Sequence, residues 1–352
     1  MTEKLGSSGH NEAAADASDA APRRSFGQKF ARHCTRFWWL HLIIFIIVVL
    51  VVVLPVIYVG YPKIAQDGIN SATLHITSQE VLNPTPDHVD VSLTSRFITD
   101  SSYHPDLEAF NASLYLQGRD RSFINLGIPD IDGAKNGTVV QVDQKAAVIG
   151  NRDEFERYCE TTLGSEEYTV FLTGSGGLKQ GSLPSTNVDY NNSVTIKGLN
   201  QLKGLTVTNF SLLSNTLESG ANSRGQVMIP NPSVLTLALG DVYIDMYVND
   251  TFIANATMPS LTLTPGNNTY LIESTTNETQ VALLLQQDEY HCGVLPVDIR
   301  GNRSVADGEV LSYYSKALQA VPVRTDFNIT PTLEEAGLGA AVGGPDSCKS
   351  SS

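Results

Sequence analysis

The chain has 352 residues, of which 17% are charged, and its net charge is −14. This length allows one large or two modest domains beside a short tail. A chain this acidic is not drawn to nucleic acid or to anionic lipid headgroups, which excludes a nucleic-acid partner, and the acidity itself indicates only solubility.

Residues 1–36 are mostly small and polar and contain almost no large apolar residue before Phe26, which predicts a disordered tail. The tail ends in a basic, aromatic segment that contains Arg23, Arg24, Lys29, Arg32 and Arg36. Cys34 lies three residues before the next element, where it is a candidate for S-acylation. An unmodified thiol is the alternative.

Residues 37–61 form an apolar stretch with no Asp, Glu, Lys or Arg. A bilayer core needs about 20 such residues in a helix, so this stretch predicts a single tilted membrane span. Aromatic residues at both ends, Trp38 and Trp39 on one side and Tyr58 and Tyr61 on the other, suit the headgroup region. A signal peptide is the alternative, but its apolar core is shorter and ends at a cleavage site of small residues, which is absent here.

The charges flanking the apolar stretch predict its orientation, because loops rich in Lys and Arg stay in the cytoplasm. Basic residues precede the stretch, whereas 17 basic and 33 acidic residues follow, a net charge of −16. The N-terminus is therefore expected in the cytoplasm and the large domain across the membrane. Ten Asn-x-Ser/Thr sequons agree with this, since all follow the stretch and each is a candidate glycosylation site: Asn111, Asn136, Asn191, Asn209, Asn249, Asn255, Asn267, Asn277, Asn302 and Asn328. An Asn/Thr-rich cytosolic β domain is the alternative.

Beyond a connector at residues 62–70, strand signals dominate. Apolar residues alternate with polar ones near Val89 and again from Val242 to Val248, the period of a half-buried strand. One helix is predicted near residues 151–163, with Asn151 as its N-cap, covering a sheet. We expect a mainly β fold with a first β unit at 62–180, a second at 181–330, and a disordered tail at 331–352.

An Asn-Pro pair followed by a strand occurs twice in the domain, which suggests a duplicated β unit. Asn83-Pro84 precedes the strand at Val89, and Asn231-Pro232 precedes the strand at Val242. The fold class expected is therefore a tandem or duplicated β-sandwich with one or two covering helices.

The cysteines suggest one disulfide, and the sequence contains no recognisable catalytic or ligand-binding motif. In an oxidising compartment Cys159 and Cys292 are the expected disulfide pair, with the pairing left open by the odd number of cysteines beyond the stretch. No catalytic, cofactor-binding or metal-ligating pattern is found: the histidines are scattered, and Asp130-Ile131-Asp132-Gly133 lacks the remaining ligands of a calcium loop and is interpreted as a turn. We therefore predict a protein that is not an enzyme and has no cofactor.

A resemblance rests on three segments in order: Pro230-Asn231-Pro232-Ser233, Leu239-Gly240-Asp241-Val242-Tyr243-Ile244 and Leu261-Thr262-Leu263-Thr264-Pro265-Gly266-Asn267-Asn268. This order resembles the late-embryogenesis-abundant type 2 domain. The whole plan resembles a fungal family of unknown function with a cytoplasmic tail, one span and a luminal domain of that type. Ile253-Ala254 stands where the family's hairpin usually carries Ile-Gly. The resemblance implies a β-sandwich and a membrane address, some members residing in the vacuolar membrane and one being linked to the termination of autophagy.

Three functional hypotheses follow. The first is a single-pass, glycosylated membrane protein whose non-enzymatic luminal domain binds another protein or plays a regulatory role, with the vacuolar membrane favoured and the plasma membrane or another endomembrane as alternatives. The second is a lipid-binding or lipid-handling β-sandwich, since related domains enclose apolar grooves. The third is a cell-surface hydrolase. In all three the helix contacts membrane lipid.

Overall fold

The computed structural model describes residues 38–98, 105–133 and 137–343. The chain divides between Tyr58 and Val59 into two compact units, each of which is described by itself. The smaller unit contains the helix α1, Trp38–Pro55, built from Trp, Leu, Ile, Val and Phe around the single His41. None of its residues is buried. Pro55 lacks a backbone N–H, and a π-helical turn, Val56–Gly60, follows it directly.

The larger unit begins with helix α2, Tyr61–Asn70, where the sequence predicts a connector. That prediction is wrong. Pro62 lies in the first turn of α2, the part of a helix in which proline is best tolerated. Ala65 and Ile69, four residues apart, are buried on one face.

The first half of the larger unit contains eight strands and two facing layers. Their bounds are β1 Thr73–Leu82, β2 His88–Ile98, β3 Asp106–Leu107, β4 Phe110–Leu116, β5 Ile124–Ile128, β6 Thr138–Val148, β7 Glu167–Lys179 and β8 Thr186–Lys197. Strands β6, β2 and β1 lie at one end of an 11-stranded sheet, whereas β3, β7, β4, β5 and β8 form a separate 5-stranded sheet. Apolar residues of both sheets line one void of about 40 Å³, so the layers face each other across a filled core.

The second half adds eight strands to the larger sheet. Their bounds are β9 Thr206–Leu212, β10 Ser223–Asn231, β11 Leu235–Val248, β12 Thr251–Leu263, β13 Gly266–Thr276, β14 Val294–Ala306, β15 Glu309–Val310 and β16 Val323–Asn328. Residues of β9, β10 and β13 and residues of β11, β12, β14 and β16 line a common void of about 60 Å³. The sheet therefore folds back on itself around a second filled core. The predicted fold class, mainly β with an N-terminal apolar helix and two sheets in a sandwich-like arrangement, is confirmed.

The two halves share one sheet because β1 pairs with β11 in parallel, with Gln79 opposite Leu235 and Val81 opposite Leu237. The boundary expected between residues 180 and 181 falls in the connection of a hairpin, in which β7 and β8 pair from Glu167 opposite Lys197 to Leu178 opposite Thr186. The division into units at 62–180 and 181–330 stays a prediction.

Four further helices cover the sheets: α3 Arg152–Gly164, α4 Glu278–Leu285, α5 Ser312–Ala320 and α6 Thr330–Glu335. The helix predicted near 151–163 is confirmed as α3: the Asn151 side chain accepts a hydrogen bond from the Glu154 N–H at 3.1 Å, and Phe155, Tyr158 and Leu163 are buried. The Phe155 ring packs edge-on against Tyr313 of α5, with 5.0 Å between ring centroids.

The predicted disordered tail is wrong for its first part. Residues 330–335 are helical, and Leu333 is buried. The hydroxyl of Thr332 donates to the Phe210 carbonyl oxygen at 2.8 Å, which fixes α6 against β9. The rest of the predicted tail, from residue 344, and the predicted N-terminal tail at 1–36 lie outside the described residues.

Candidate functional site

The apolar helix is a candidate membrane anchor. Within the described part of the chain, one helical stretch, Trp38–Asn70, is long and apolar enough to cross a bilayer. The apolar side chains of its first part, α1, are exposed rather than packed in a core, for example Phe45 at 65% and Val51 at 65%. Exposed apolar surface of this extent indicates contact with a non-aqueous environment. Cys34, the candidate for S-acylation, lies outside the described residues.

The sequon asparagines lie on the surface of the larger unit. Asn136 falls outside the described residues, and the other nine are all exposed: Asn111, Asn191, Asn209, Asn249, Asn255, Asn267, Asn277, Asn302 and Asn328. Two of them donate a hydrogen bond through Nδ2 to a neighbouring side chain. Asn209 donates to Gln226 at 2.9 Å, and Asn302 donates to Asp245 at 2.8 Å. Asn277 is the N-cap of α4. These nine side chains are therefore reachable from solvent, although their use as glycan sites stays a prediction.

The expected disulfide between Cys159 and Cys292 is not formed. Cys159 is a free thiol, buried in α3, and burial raises its pKa well above the usual value. Cys292 is itself disulfide-bonded. The spacing of cysteines in a sequence does not determine which of them meet in space, which is why the expected pairing is wrong.

No group of three or more His, Cys, Asp or Glu side chains suited to hold a metal ion is found among residues 38–98, 105–133 and 137–343. Asp130, in the calcium-loop-like segment, accepts a hydrogen bond from the Ala109 N–H at 2.8 Å, and Ile131 forms a β-bridge with Leu107. This segment is therefore attached to the backbone at residues 107–109. Absence of catalysis and of a cofactor stays a prediction.

An ion pair that the sequence does not indicate joins the β4–β5 loop to α3. The Arg119 guanidinium donates to both carboxylate oxygens of Glu154, through Nε at 2.9 Å and through a terminal nitrogen at 2.5 Å. The Glu154 side chain is buried, and the two hydrogen bonds from Arg119 hold the pKa of its carboxyl below the usual value. The pair lies beside an open polar cleft of about 730 Å³ that also includes Arg157, Glu160 and Gln201.

A third void differs from the two filled sandwich cores. We call it the C-terminal cavity: about 320 Å³ enclosed by α4, α6, residues 338–341 and strands β9, β11, β12, β13, β14 and β16. Its wall is mainly aliphatic and aromatic, with Leu285, Leu295 and Phe327 among the lining residues. Sequence reasoning missed it, because the lining residues come from segments spread over more than a hundred positions.

The chain is therefore a mainly β protein with a candidate membrane anchor near its N-terminus. Residues 121–246 match the model of a family described as "Protein of unknown function (DUF3712)". No curated protein matches the chain. Among solved structures, the solution structure of AT1g01470 from Arabidopsis thaliana is similar at 12% identity, covering 35% of this chain and 80% of that chain with a TM-score of 0.24.

Proposed function

We propose that the chain is a single-pass membrane glycoprotein whose N-terminus faces the cytoplasm and whose unit from Val59 onward is a non-enzymatic binding domain on the opposite side. The partner is another protein, and the role is regulatory. The vacuolar membrane is the favoured location, with the plasma membrane or another endomembrane as the alternative. The observation that carries the proposal is the exposure of all nine described sequon asparagines on the unit that follows the apolar helix.

Topology is tested with the full chain expressed in eukaryotic cells. We expect it to stay in the pellet after carbonate extraction and to gain mobility when N-glycans are removed. Protease added to sealed microsomes should shorten it by the N-terminal tail alone. Asn111→Gln and Asn255→Gln should each remove one glycan, whereas Asn215→Gln, at an exposed asparagine outside any sequon, should remove none. A soluble chain, or mobility unchanged by the glycosidase, would overturn the proposal.

An edge strand supports a protein partner. Strand β6 ends the order of the larger sheet, and its second residue, Val139, and its last residue, Val148, are 63% and 59% exposed. Near its far end β6 contacts β5, since the Gln144 side chain accepts from the Gly127 N–H at 2.9 Å and Ile149 bridges Ile124. The end at Val139 is therefore the surface to which another chain can add a strand.

A photoreactive amino acid tests this surface in cells. Placed at Val139, it should give a discrete crosslinked species, whereas the same group at Leu217, which is exposed in a loop, should not. The absence of a crosslink specific to Val139 would count against a partner at β6. Imaging of a tagged copy determines in which membrane the protein resides. Hydrolysis of any member of a broad substrate panel by the purified chain would contradict a non-enzymatic domain.

A further inference from the structure

The C-terminal cavity is the feature of the larger unit that its proposed role as a protein-binding domain leaves unexplained. At about 320 Å³ it is several times larger than the voids of about 40 and 60 Å³ within the two sandwich cores. Protein interiors are normally close-packed, because atoms that line a void lose their dispersion contacts. The same chain fills two cores well and leaves this third space open, which indicates that something else fills it.

The hydroxyl groups of the wall are already used within the protein. The Ser274 and Thr276 hydroxyls both lie within hydrogen-bonding distance of the buried Ser223 hydroxyl, at 2.8 and 2.7 Å. The Thr332 hydroxyl donates to Phe210. Water is retained in a cavity only where it finds several free polar partners, and apolar cavities stay dry. The interior therefore favours a hydrocarbon.

The size of the cavity limits that hydrocarbon. An apolar cavity of about 150 Å³ accommodates benzene, so a space of this volume has room for roughly a dozen carbon atoms. One acyl chain of medium length fits that figure, and the two chains of a diacyl lipid do not. Its volume also lies at the lower end of the range typical of small-molecule sites.

The mouth lies between α4 and residues 338–341. The exposed members of the lining all belong to these two segments or border them: Glu278, Ala282, Gln286, Leu338 and Ala341. Leu338 is 51% exposed although it lines the cavity. A ligand can therefore enter from solvent without separating the strands of the sheet.

The residues at the mouth also limit which headgroup the ligand can carry. Glu278 supplies a carboxylate and Gln286 an amide, and among the described lining residues none is Lys, Arg or His. An anionic headgroup would find no cation there and would be repelled by Glu278. An uncharged end that donates hydrogen bonds suits both side chains.

We propose that the C-terminal cavity binds a single-chain lipid with an uncharged, hydroxylated headgroup, such as a monoacylglycerol. The chain occupies the apolar interior, and the headgroup lies at the mouth beside Glu278 and Gln286. This site is separate from the protein-binding edge at β6, so either can fail without the other.

Binding is measured with the full chain in nanodiscs. 1-Monolauroylglycerol should bind at one site per chain and raise the melting temperature, and lauric acid at pH 8, with the same chain but a carboxylate, should bind more weakly. Ala282→Trp at the mouth should lower the monoacylglycerol affinity by about tenfold or more, because an overpacked entrance excludes the chain. Leu283→Trp is the matched control, since Leu283 is the exposed neighbour on the same helix and lies outside the lining. Glu278→Gln removes the charge that repels a carboxylate, so it should reduce the ratio of the affinity for 1-monolauroylglycerol to the affinity for lauric acid.

A second readout does not depend on the variants folding. A diazirine-labelled monoacylglycerol should crosslink to α4, β12 or β13, in competition with 1-monolauroylglycerol. Equal affinity of wild type and Ala282→Trp, no saturable binding, or crosslinks confined to α1 would overturn the proposal. Displacement of the probe by the nanodisc's own diacyl phospholipid would overturn the assignment to a single-chain lipid.

Discussion

The side-chain amide of Gln66 pairs with the backbone of Asp189 in the way a neighbouring strand would. Its Nε2 donates to the Asp189 carbonyl oxygen at 2.7 Å, and the Asp189 N–H donates to its Oε1 at 2.8 Å. Asp189 lies on β8, which pairs only with β7 among the described strands of the smaller sheet. One residue of α2 thus pairs with one position on the outer edge of β8 and attaches the first helix of the larger unit to that sheet.

Replacing Gln66 by alanine should loosen this attachment. We expect a loss of about 1–2 kcal/mol, since two intramolecular hydrogen bonds contribute roughly that amount. Hydrogen–deuterium exchange should show faster exchange at Asp189 and along α2. Lys63→Ala, at an exposed position of the same helix, is the control and should leave exchange unchanged. Equal exchange in both variants would show that the amide pair does not hold α2.

The ion pair between Arg119 and Glu154 should make stability depend on pH. Because the hydrogen bonds from Arg119 lower the pKa of Glu154 in the folded state, the pair stabilises the fold fully above the ordinary Glu pKa of about 4.3. That contribution is lost as the pH falls from there through the lower folded-state pKa. Glu154→Gln should therefore lower the melting temperature at pH 7, and the difference from wild type should shrink in acid. A difference that stays constant down to pH 3 would contradict this coupling.

The Cys159 thiol should be unreactive in the folded protein. It is buried, and burial raises its pKa, so little of the reactive thiolate exists at pH 8. We expect N-ethylmaleimide to label Cys159 in denaturant without added reductant and to spare it under native conditions, as read by peptide mass spectrometry. Cys159→Ala should lose that adduct. If reductant were needed before labelling, Cys159 would be disulfide-bonded and the structure contradicted.

Gly240 should not tolerate a side chain. It has a φ of +70° in β11, and an added Cβ would lie 2.3 Å from the Val305 carbonyl oxygen. Gly240→Ala should cost about 2–4 kcal/mol, combining left-handed backbone strain with a steric clash. Gly308→Ala, with a φ of +84° but no atom within 4 Å of its Cβ, isolates the strain and should cost about 1–2 kcal/mol. Denaturant unfolding measures both, and equal losses would argue against the clash.

The patterns that the sequence predicts well are local ones. The alternation from Val242 to Val248 predicts a strand, and the structure contains it as part of β11, with Val242, Ile244 and Val248 buried. The Asn151 cap gives α3. Such signals depend on neighbours a few residues away, so a single chain contains all the information they need.

Features that depend on distant residues could not be predicted. The two Asn-Pro turns look alike, but Asn83 is exposed with a φ of 47°, whereas the buried Asn231 bonds Ser233 and the Leu235 carbonyl oxygen. The flanking strands differ as well: β1 pairs with β2, but β10 pairs with β9 and β13 and not with β11. The cavity, the free Cys159 and the Arg119–Glu154 pair likewise arise only when remote segments meet.

The parallel pairing of β1 with β11 has a consequence for biosynthesis. Gln79 meets Leu235, so their contact spans 156 positions. A chain synthesised from its N-terminus must leave that side of β1 bare while the next 150 or so residues emerge. Contacts this distant slow folding, and an uncovered strand is a target for chaperones and for aggregation. Premature termination before residue 235 should therefore produce a fragment that aggregates or is degraded.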